Sequence, residues 1–233
     1  MNATVENMKY PRTYHLPFSP GATSDDKKIP WDFDWFGQMF AGKEVVISEK
    51  LDGENSCFTH FDVYSRSHGA PTRSPWSRNL WANDGLLWKI KDFIAEDEQV
   101  FGENLFGIHS IEYDKLPAYF FIFAIKNDDR WYSWDEIEEY AKMIDVPTVP
   151  VIFRGILKDA QQLENICNQV ISNPSHFGKT AEGCVIRIAD SFPVYDEGQF
   201  AFPQNVAKFV RPNHVQTDTH WTNNWKKANL IIL

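Results

Sequence analysis

Glu49-Lys50-Leu51-Asp52-Gly53-Glu54-Asn55 follows the apolar run Val45-Val46-Ile47 and sets a lysine and an acid against a glycine. The β-branched run reads as a strand. Asp52-Gly53 then reads in two ways. It is the turn of a surface hairpin with Lys50 in solvent, or it is the loop beside a lysine that acts as a covalent nucleophile. Lys-x-Asp-Gly alone specifies too little to choose between them. The choice depends on what stands further along the chain.

Working outward, short β-branched and aromatic runs bounded by Gly, Pro, Asn or Asp predict strands over residues 44–48, 57–65, 99–103, 119–125, 149–153, 183–188 and 206–210. Helices are expected over 80–95, from the spacing of Leu87, Ile90 and Ile94, and over 159–171, with Leu163, Ile166, Val170 and Ile171 on one face. Ser133-Trp134-Asp135-Glu136 is a capping box that opens a third helix, ending near Met143. Strands outnumber helices without regular alternation, which predicts an α+β domain built on antiparallel sheets. Residues 9–31, rich in Pro, Ser, Gly and Asp, read as an irregular arm.

The chain of 233 residues is long enough for a substantial core, and no segment approaches the roughly 18 apolar residues of a membrane span. The first residues show no basic region followed by an apolar stretch, so no secretory leader is expected. Cys57, Cys167 and Cys184 are odd in number and far apart. That argues against a disulfide framework or a cysteine zinc site, and suits a reducing compartment. A net charge of −9 counts against a general nucleic-acid surface but leaves room for a local basic groove.

Five further pieces follow the lysine: Tyr64-Ser65-Arg66-Ser67-His68-Gly69, Phe101-Gly102-Glu103-Asn104, the aromatic run over 119–125, Glu182-Gly183-Cys184-Val185-Ile186-Arg187, and Val206-Ala207-Lys208-Phe209-Val210-Arg211. Each alone has a plain reading as a surface charge, a turn or a core strand; Phe121 and Phe123, two apart, fall on one sheet face. Taken in order, the series resembles the six motifs of the covalent nucleotidyltransferases: ATP-dependent DNA ligases, RNA ligases and mRNA capping enzymes. Asn55 after the lysine motif, the arm His15-Leu16-Pro17-Phe18-Ser19-Pro20-Gly21, the segment from His109 to Pro117 and the stretch from His214 to Trp221 make it most similar to RNA ligases of the RNA ligase 2 type, in a compact bacterial or phage form.

The resemblance implies an ATP-grasp-like nucleotidyltransferase fold, antiparallel sheets flanked by helices, spanning 1–233 as one adenylyltransferase domain with an arm over 1–43 and a tail over 212–233. It implies ATP as substrate, Mg²⁺ or Mn²⁺ as cofactor, and Lys50 as the residue that carries AMP. Asp52 and Lys208 join it as catalytic residues, Lys208 at the α-phosphate. Glu49, Asn55, Arg66, Glu103, Phe123, Glu182, Lys208 and Arg211 form the nucleotide site, with Phe123, helped by Phe121, stacking on adenine. Glu182 and Glu103 hold the metal. A free lysine is almost wholly protonated at neutral pH, so the site is expected to depress the Lys50 pKa by desolvation or positive charge, with Lys208, Arg187 or Arg211 and the bound divalent cation as sources.

Two departures stand out. Ala124 occupies the place of an acid, and Arg211 stands where the closing motif has a second lysine at different spacing. The tail is too short for the second domain of larger ligases. Trp221 and Trp225 are therefore expected to pack the tail against the core, with RNA stacking as the alternative. Expected partners are RNA ends, nicked or single-stranded, with a DNA strand in a hybrid and a protein replacing the missing domain as further expectations, and no membrane. The expected location is the cytoplasm of a bacterial or phage-infected cell. The alternatives are a minimal DNA ligase, a capping-type nucleotidyltransferase, and an RNA-end-binding protein without sealing activity.

Overall fold

The computed structural model describes residues 9–31, 34–66, 69–214 and 221–231. Val45, Val46 and Ile47 are all fully buried. Strand β2 (Glu44–Lys50) is therefore apolar on both faces rather than alternating, as a strand covered on both sides must be. It lies inside a five-stranded sheet between β8 (Val151–Ile156) and β9 (Gly183–Ile188), followed by β13 (Val206–Val210) and β1 (Tyr14–His15). All pairings there are antiparallel except β1 with β13.

A second, antiparallel sheet runs β10 (Phe192–Pro193), β7 (Arg130–Trp131), β6 (Phe120–Lys126), β5 (Gln99–Asn104), β3 (Glu54–Phe58) and β4 (Val63–Ser65). A small hairpin, β11 (Tyr195–Asp196) with β12 (Gln199–Phe200), stands apart. The strands on either side of Asp52-Gly53 thus belong to different sheets. The dipeptide is a crossing between layers, and the surface-hairpin reading is excluded.

Helix α5 (Ala160–Ser172) buries Leu163, Cys167 and Val170 in the core that backs the first sheet; Ile166 and Ile171 pack at its margin. Helix α4 (Trp134–Met143) has the expected capping box, with Ser133 and Glu136 each accepting from the other's backbone N–H, and packs against the second sheet. Helix α1 (Trp35–Met39) places Trp35 and Met39 in the first sheet's core, and α6 (Phe202–Asn205) leads into β13.

Several expectations shift. The helix over 80–95 breaks into α2 (Arg78–Trp81), α3 (Leu87–Ile90) and a 3₁₀ turn at Lys91–Phe93. Ala82 is extended, and the Gly85 N–H returns to its carbonyl at 2.7 Å. Asn83-Asp84-Gly85 is a turn signal that the apolar spacing overrode. The strand over 57–65 is a hairpin, because Thr59 and Asp62 close a loop between β3 and β4. The strand over 149–153 begins two residues later and runs on to Ile156 as an edge. The arm is not wholly irregular, since it supplies β1. The tail docks along the segment around Phe106: Ile108 N–H reaches the Lys226 carbonyl at 2.8 Å, and the Trp225 and Phe106 rings lie 6.0 Å apart. Of the two segments carrying part of the resemblance, Ser67 and His68 and residues 215–220 lie outside the described residues.

All three cysteines are free and buried, Cys167 and Cys184 with their sulfurs 3.5 Å apart. Among the described residues no helix is long and apolar enough to cross a membrane.

Candidate active site

Where β2 leaves its sheet, a cleft of about 540 Å³ opens between the two sheets, within the size range of small-molecule sites. Lys50 ends β2 opposite Gly183, at the start of β9. A Cβ on Gly183 would lie 2.0 Å from the Phe209 carbonyl oxygen, so only glycine lets β13 approach there. That approach brings Glu182 to the lysine: Lys50 Nζ donates to Glu182 Oε2 at 2.6 Å, with Glu182 7 % exposed.

Glu103 enters from β5, where it pairs with Asn55 on β3. Its Oε1 accepts the Gly53 N–H at 3.1 Å. Asp52 turns the other way: Oδ2 accepts the Ser110 and Ile111 N–H groups at 2.8 and 2.7 Å, and the Asp52 N–H donates to Tyr113 Oη at 2.8 Å. The crossing loop is thereby fixed to the 109–113 segment. Glu49, one residue before the lysine, is 4 % exposed and accepts from Ser175 Oγ and from the His176 N–H at 2.9 Å. It borders the cleft, but its carboxylate is held by that turn.

These neighbours set the charge state. Burial works to lower the Lys50 pKa, but Glu182, Glu103 and Asp52 outweigh it and hold the pKa above the ordinary lysine value. Of the expected causes of a depressed pKa, burial acts in that direction but the three acids outweigh it, so a lowered value depends on the positive charge of a bound cation. Burial raises Glu182, and raises Glu103 to about 8 against the pull of Lys50. Lys208 faces the cleft from β13, its pKa lowered by burial and by the charge of Lys50. Arg66, exposed just after β4, borders the same end of the cleft.

Arg187 and Arg211 do not join Lys50. Arg187 pairs with Val46, four positions along β2 from Lys50, which is roughly 13 Å in a strand. It is 5 % exposed, donates to the Ile188 and Tyr132 carbonyls, and its pKa falls to about 10 through burial. Arg211 is not among the cleft-lining residues; its backbone N–H donates to the Glu182 carbonyl at 2.9 Å.

The aromatic wall also differs from a simple alternation. The β5–β6 register passes from Phe101 opposite Ala124 to Gly102 opposite Ile122, which leaves Phe123 without a partner. Such a bulge re-aims a side chain. Phe123 lines the cleft with Ala124, whereas Phe121 is 1 % exposed and packs on Phe177 at 4.8 Å in the core. Beyond Phe123 lie residues that sequence reading missed: Tyr10, 5.0 Å from Phe123, and Trp131, Phe192 and Phe202. Val185 was reachable, since it alternates with Gly183 onto the same face of β9. Tyr10 carried no signal within the arm. The Asn55 side-chain oxygen is buried at the cleft with no hydrogen-bond partner among the described residues.

Among the described residues no three His, Cys, Asp or Glu side chains converge as a ready-made metal cage. The donor set nonetheless fits Mg²⁺ or Mn²⁺. Glu182 and Glu103 are hard oxygen donors with raised pKa values, and such ions bind through one or two carboxylates completed by substrate phosphates.

A profile of the RNA ligase family matches residues 43–210. An archaeal ATP-dependent RNA ligase aligns with a TM-score of 0.52 at 12 % identity over 87 % of this chain and 48 % of its own. A Naegleria gruberi RNA ligase mutant, solved with ATP and Mn, gives 0.52 at 16 % over 76 % and 51 %. A putative ATP-dependent DNA ligase from Aquifex aeolicus gives 0.53 at 17 % over 87 % and 49 %. At these identities the likeness is one of fold, and the chain spans about half the length of the solved structures it matches. The dihydrofolate reductase of Haemophilus influenzae is 25 % identical over 135 residues, which are 50 % of this chain and 79 % of that protein. At that identity, over half of the chain, it establishes no family.

Proposed function

The chain belongs to the RNA ligase family, and on that premise we propose that it seals RNA 5′-phosphate and 3′-hydroxyl ends at the expense of ATP. The observation that carries the reading is Lys50 set 2.6 Å from Glu182 and beside Glu103, in a cleft whose wall is the re-aimed Phe123.

Lys50 Nζ attacks the α-phosphorus; a phosphoramidate N–P bond forms and the bond to pyrophosphate breaks. The amine must first lose its proton. Glu182 accepts its hydrogen bond at 2.6 Å and orients the amine, and the proton passes to solvent. Glu182 and Glu103 would hold a divalent cation, which would supply positive charge to offset these carboxylates, favour the neutral amine and offset the charge developing on the phosphate. Lys208 binds the α-phosphate, Arg66 the ribose or phosphates, and Phe123 stacks on adenine. Asp52 keeps the crossing loop in place through Ser110 and Ile111, and the Asn55 oxygen accepts from a hydroxyl of the nucleotide or the RNA end. A 5′-phosphate oxygen of RNA then takes AMP from Lys50, and a 3′-hydroxyl displaces AMP to form the phosphodiester.

We assign the acceptor as RNA, with a DNA strand in a hybrid and a partner protein that assists strand capture as finer parts of the same proposal. The free buried thiols suit a reducing compartment, here the cytoplasm of a bacterial or phage-infected cell.

The test is transfer of label from α-labelled ATP to denatured protein with Mg²⁺ or Mn²⁺, with GTP and NAD alongside. Label from ATP, lost in Lys50→Ala, followed by sealing of nicked or single-stranded RNA, supports the proposal. No label from any nucleotide overturns it, and sealing confined to DNA reassigns the acceptor.

A further inference from the structure

Lys208 is held from a side that the family profile does not reach. The profile begins at residue 43, yet the arm upstream adds β1 to the free edge of β13, opposing His15 to Lys208. The Leu16 N–H donates to the Lys208 carbonyl at 2.8 Å. Ser19 Oγ accepts the Val210 N–H at 3.0 Å and lies 2.9 Å from His15 Nδ1. The chain then doubles back, with the Ile29 N–H on the His15 carbonyl at 2.9 Å. That return brings Asp26 to Lys208: its Oδ1 is 3.5 Å from His15 Nε2 and 3.8 Å from Lys208 Nζ.

The charge states follow from the surroundings. His15 is 1 % exposed, and burial, with the charge of Lys208, lowers its pKa to about 4, so the ring is neutral near pH 7. A neutral imidazole has one donor and one acceptor nitrogen. Asp26 offers only acceptors to Nε2, which assigns the proton to Nε2 and makes Nδ1 the acceptor of the Ser19 hydroxyl. The other Asp26 oxygen accepts from the Thr23 N–H at 3.1 Å and from Thr23 Oγ1 at 3.0 Å. The carboxylate is therefore fixed from two sides, while Lys208 has a long, flexible stem and like charges at Lys50 and Arg66. At 3.8 Å Asp26 attracts the ammonium without occupying its donors.

We propose that Asp26, oriented by His15 and Thr23, is a positioning residue that holds the Lys208 ammonium at the phosphate end of the cleft. The inference rests on the reading of Lys208 as the α-phosphate ligand. It assigns to the arm a part in catalysis that the family profile does not include.

Asp26→Asn and Asp26→Glu test it. Both side chains of the pair are partly open to water, at 21 % for Lys208 and 27 % for Asp26, so the pair itself adds little to stability; Asn keeps an oxygen for Thr23, and Asp26→Asn lowers the melting temperature by about 2–4 °C at most. In single-turnover transfer of AMP to Lys50, Asp26→Asn lowers the limiting rate about tenfold, as loss of orientation does. Half-saturating ATP stays the same or falls, because an anion has left the phosphate end. Asp26→Glu recovers much of the rate. Acylation footprinting by mass spectrometry, without nucleotide, shows Lys208 several-fold more reactive in Asp26→Asn. A limiting rate within twofold of the wild type overturns the inference. So does an unchanged Lys208 footprint, or a rate loss accompanied by weaker ATP use and a larger fall in melting temperature. Wild-type protein that takes no label overturns the ligase reading itself, and the footprint still decides the ion pair.

Discussion

Glu182, Glu103 and Asp52 crowd around one amine and hold the Lys50 pKa above its ordinary value, and the same crowding sets the sign of the pH dependence. Burial raises Glu103 to about 8 from an ordinary glutamate value near 4.5. The folded state then binds this proton more tightly than the unfolded chain does. Its contribution to stability is complete below about pH 4.5 and is lost as pH rises through about 8. Glu182, raised by burial, acts in the same direction. Without divalent cations, melting temperature should fall from acidic to mildly alkaline pH more steeply in the wild type than in Glu103→Gln. Mn²⁺ at about pH 8 should restore more of it in the wild type. Equal slopes would remove Glu103 from the charge cluster. The two phenylalanines of β6 separate just as sharply. Phe123→Ala should weaken ATP use in adenylylation by about 1–3 kcal/mol, the range for stacking on a base. Phe121→Ala should instead cost about 3–5 kcal/mol of folding stability in denaturant titration, as loss of a buried ring does.

At the scale of elements, the loop from β2 to β3 matters most, and Asp52 fixes it. Asp52→Ala leaves the Ser110 and Ile111 N–H groups without their acceptor, at a cost of about 1–3 kcal/mol for each one that stays buried. Urea unfolding should report that loss, together with slower labelling of Lys50; wild-type stability would show that the loop is held some other way. The long elements were legible because each carried its own pattern: α4 by its capping box, α5 by the spacing of Leu163, Ile166, Val170 and Ile171, and β9 and β13 by β-branched runs. Shorter features were not. The break at Ala82 sat inside an apolar spacing that a bent segment satisfies equally well, since Leu87, Ile90 and Ile94 are buried all the same. The bulge at Phe123 leaves no trace in a run of seven apolar or aromatic residues.

Across the whole molecule, the site exists because two sheets diverge at Lys50 and the arm closes the outer edge of the first. Leu16, an arm residue fully buried in the first sheet's core, should cost about 2–5 kcal/mol when changed to Ala, although it lies upstream of the family profile. A loss below about 1 kcal/mol in chemical denaturation would mean that the arm is only loosely attached. The same closure explains why Asp26 escaped the sequence. Its partner Lys208 is far along the chain, and a two-residue strand is too short to show a period.

The sequence by itself determined the antiparallel α+β class, from short runs that each carry their own pattern, and the order of the motifs that nominate Lys50, Glu103, Glu182 and Lys208 as the reactive groups. Only the tertiary structure decided that Asp52-Gly53 joins two sheets, that Phe123 and not Phe121 faces the cleft, that Arg187 lines the cleft four strand positions from Lys50, and that three acids gather around the lysine. Those outcomes depend on register, on a bulge and on the summed field of carboxylates from separate strands, and long-range pairing of that kind is not written in any short stretch of residues.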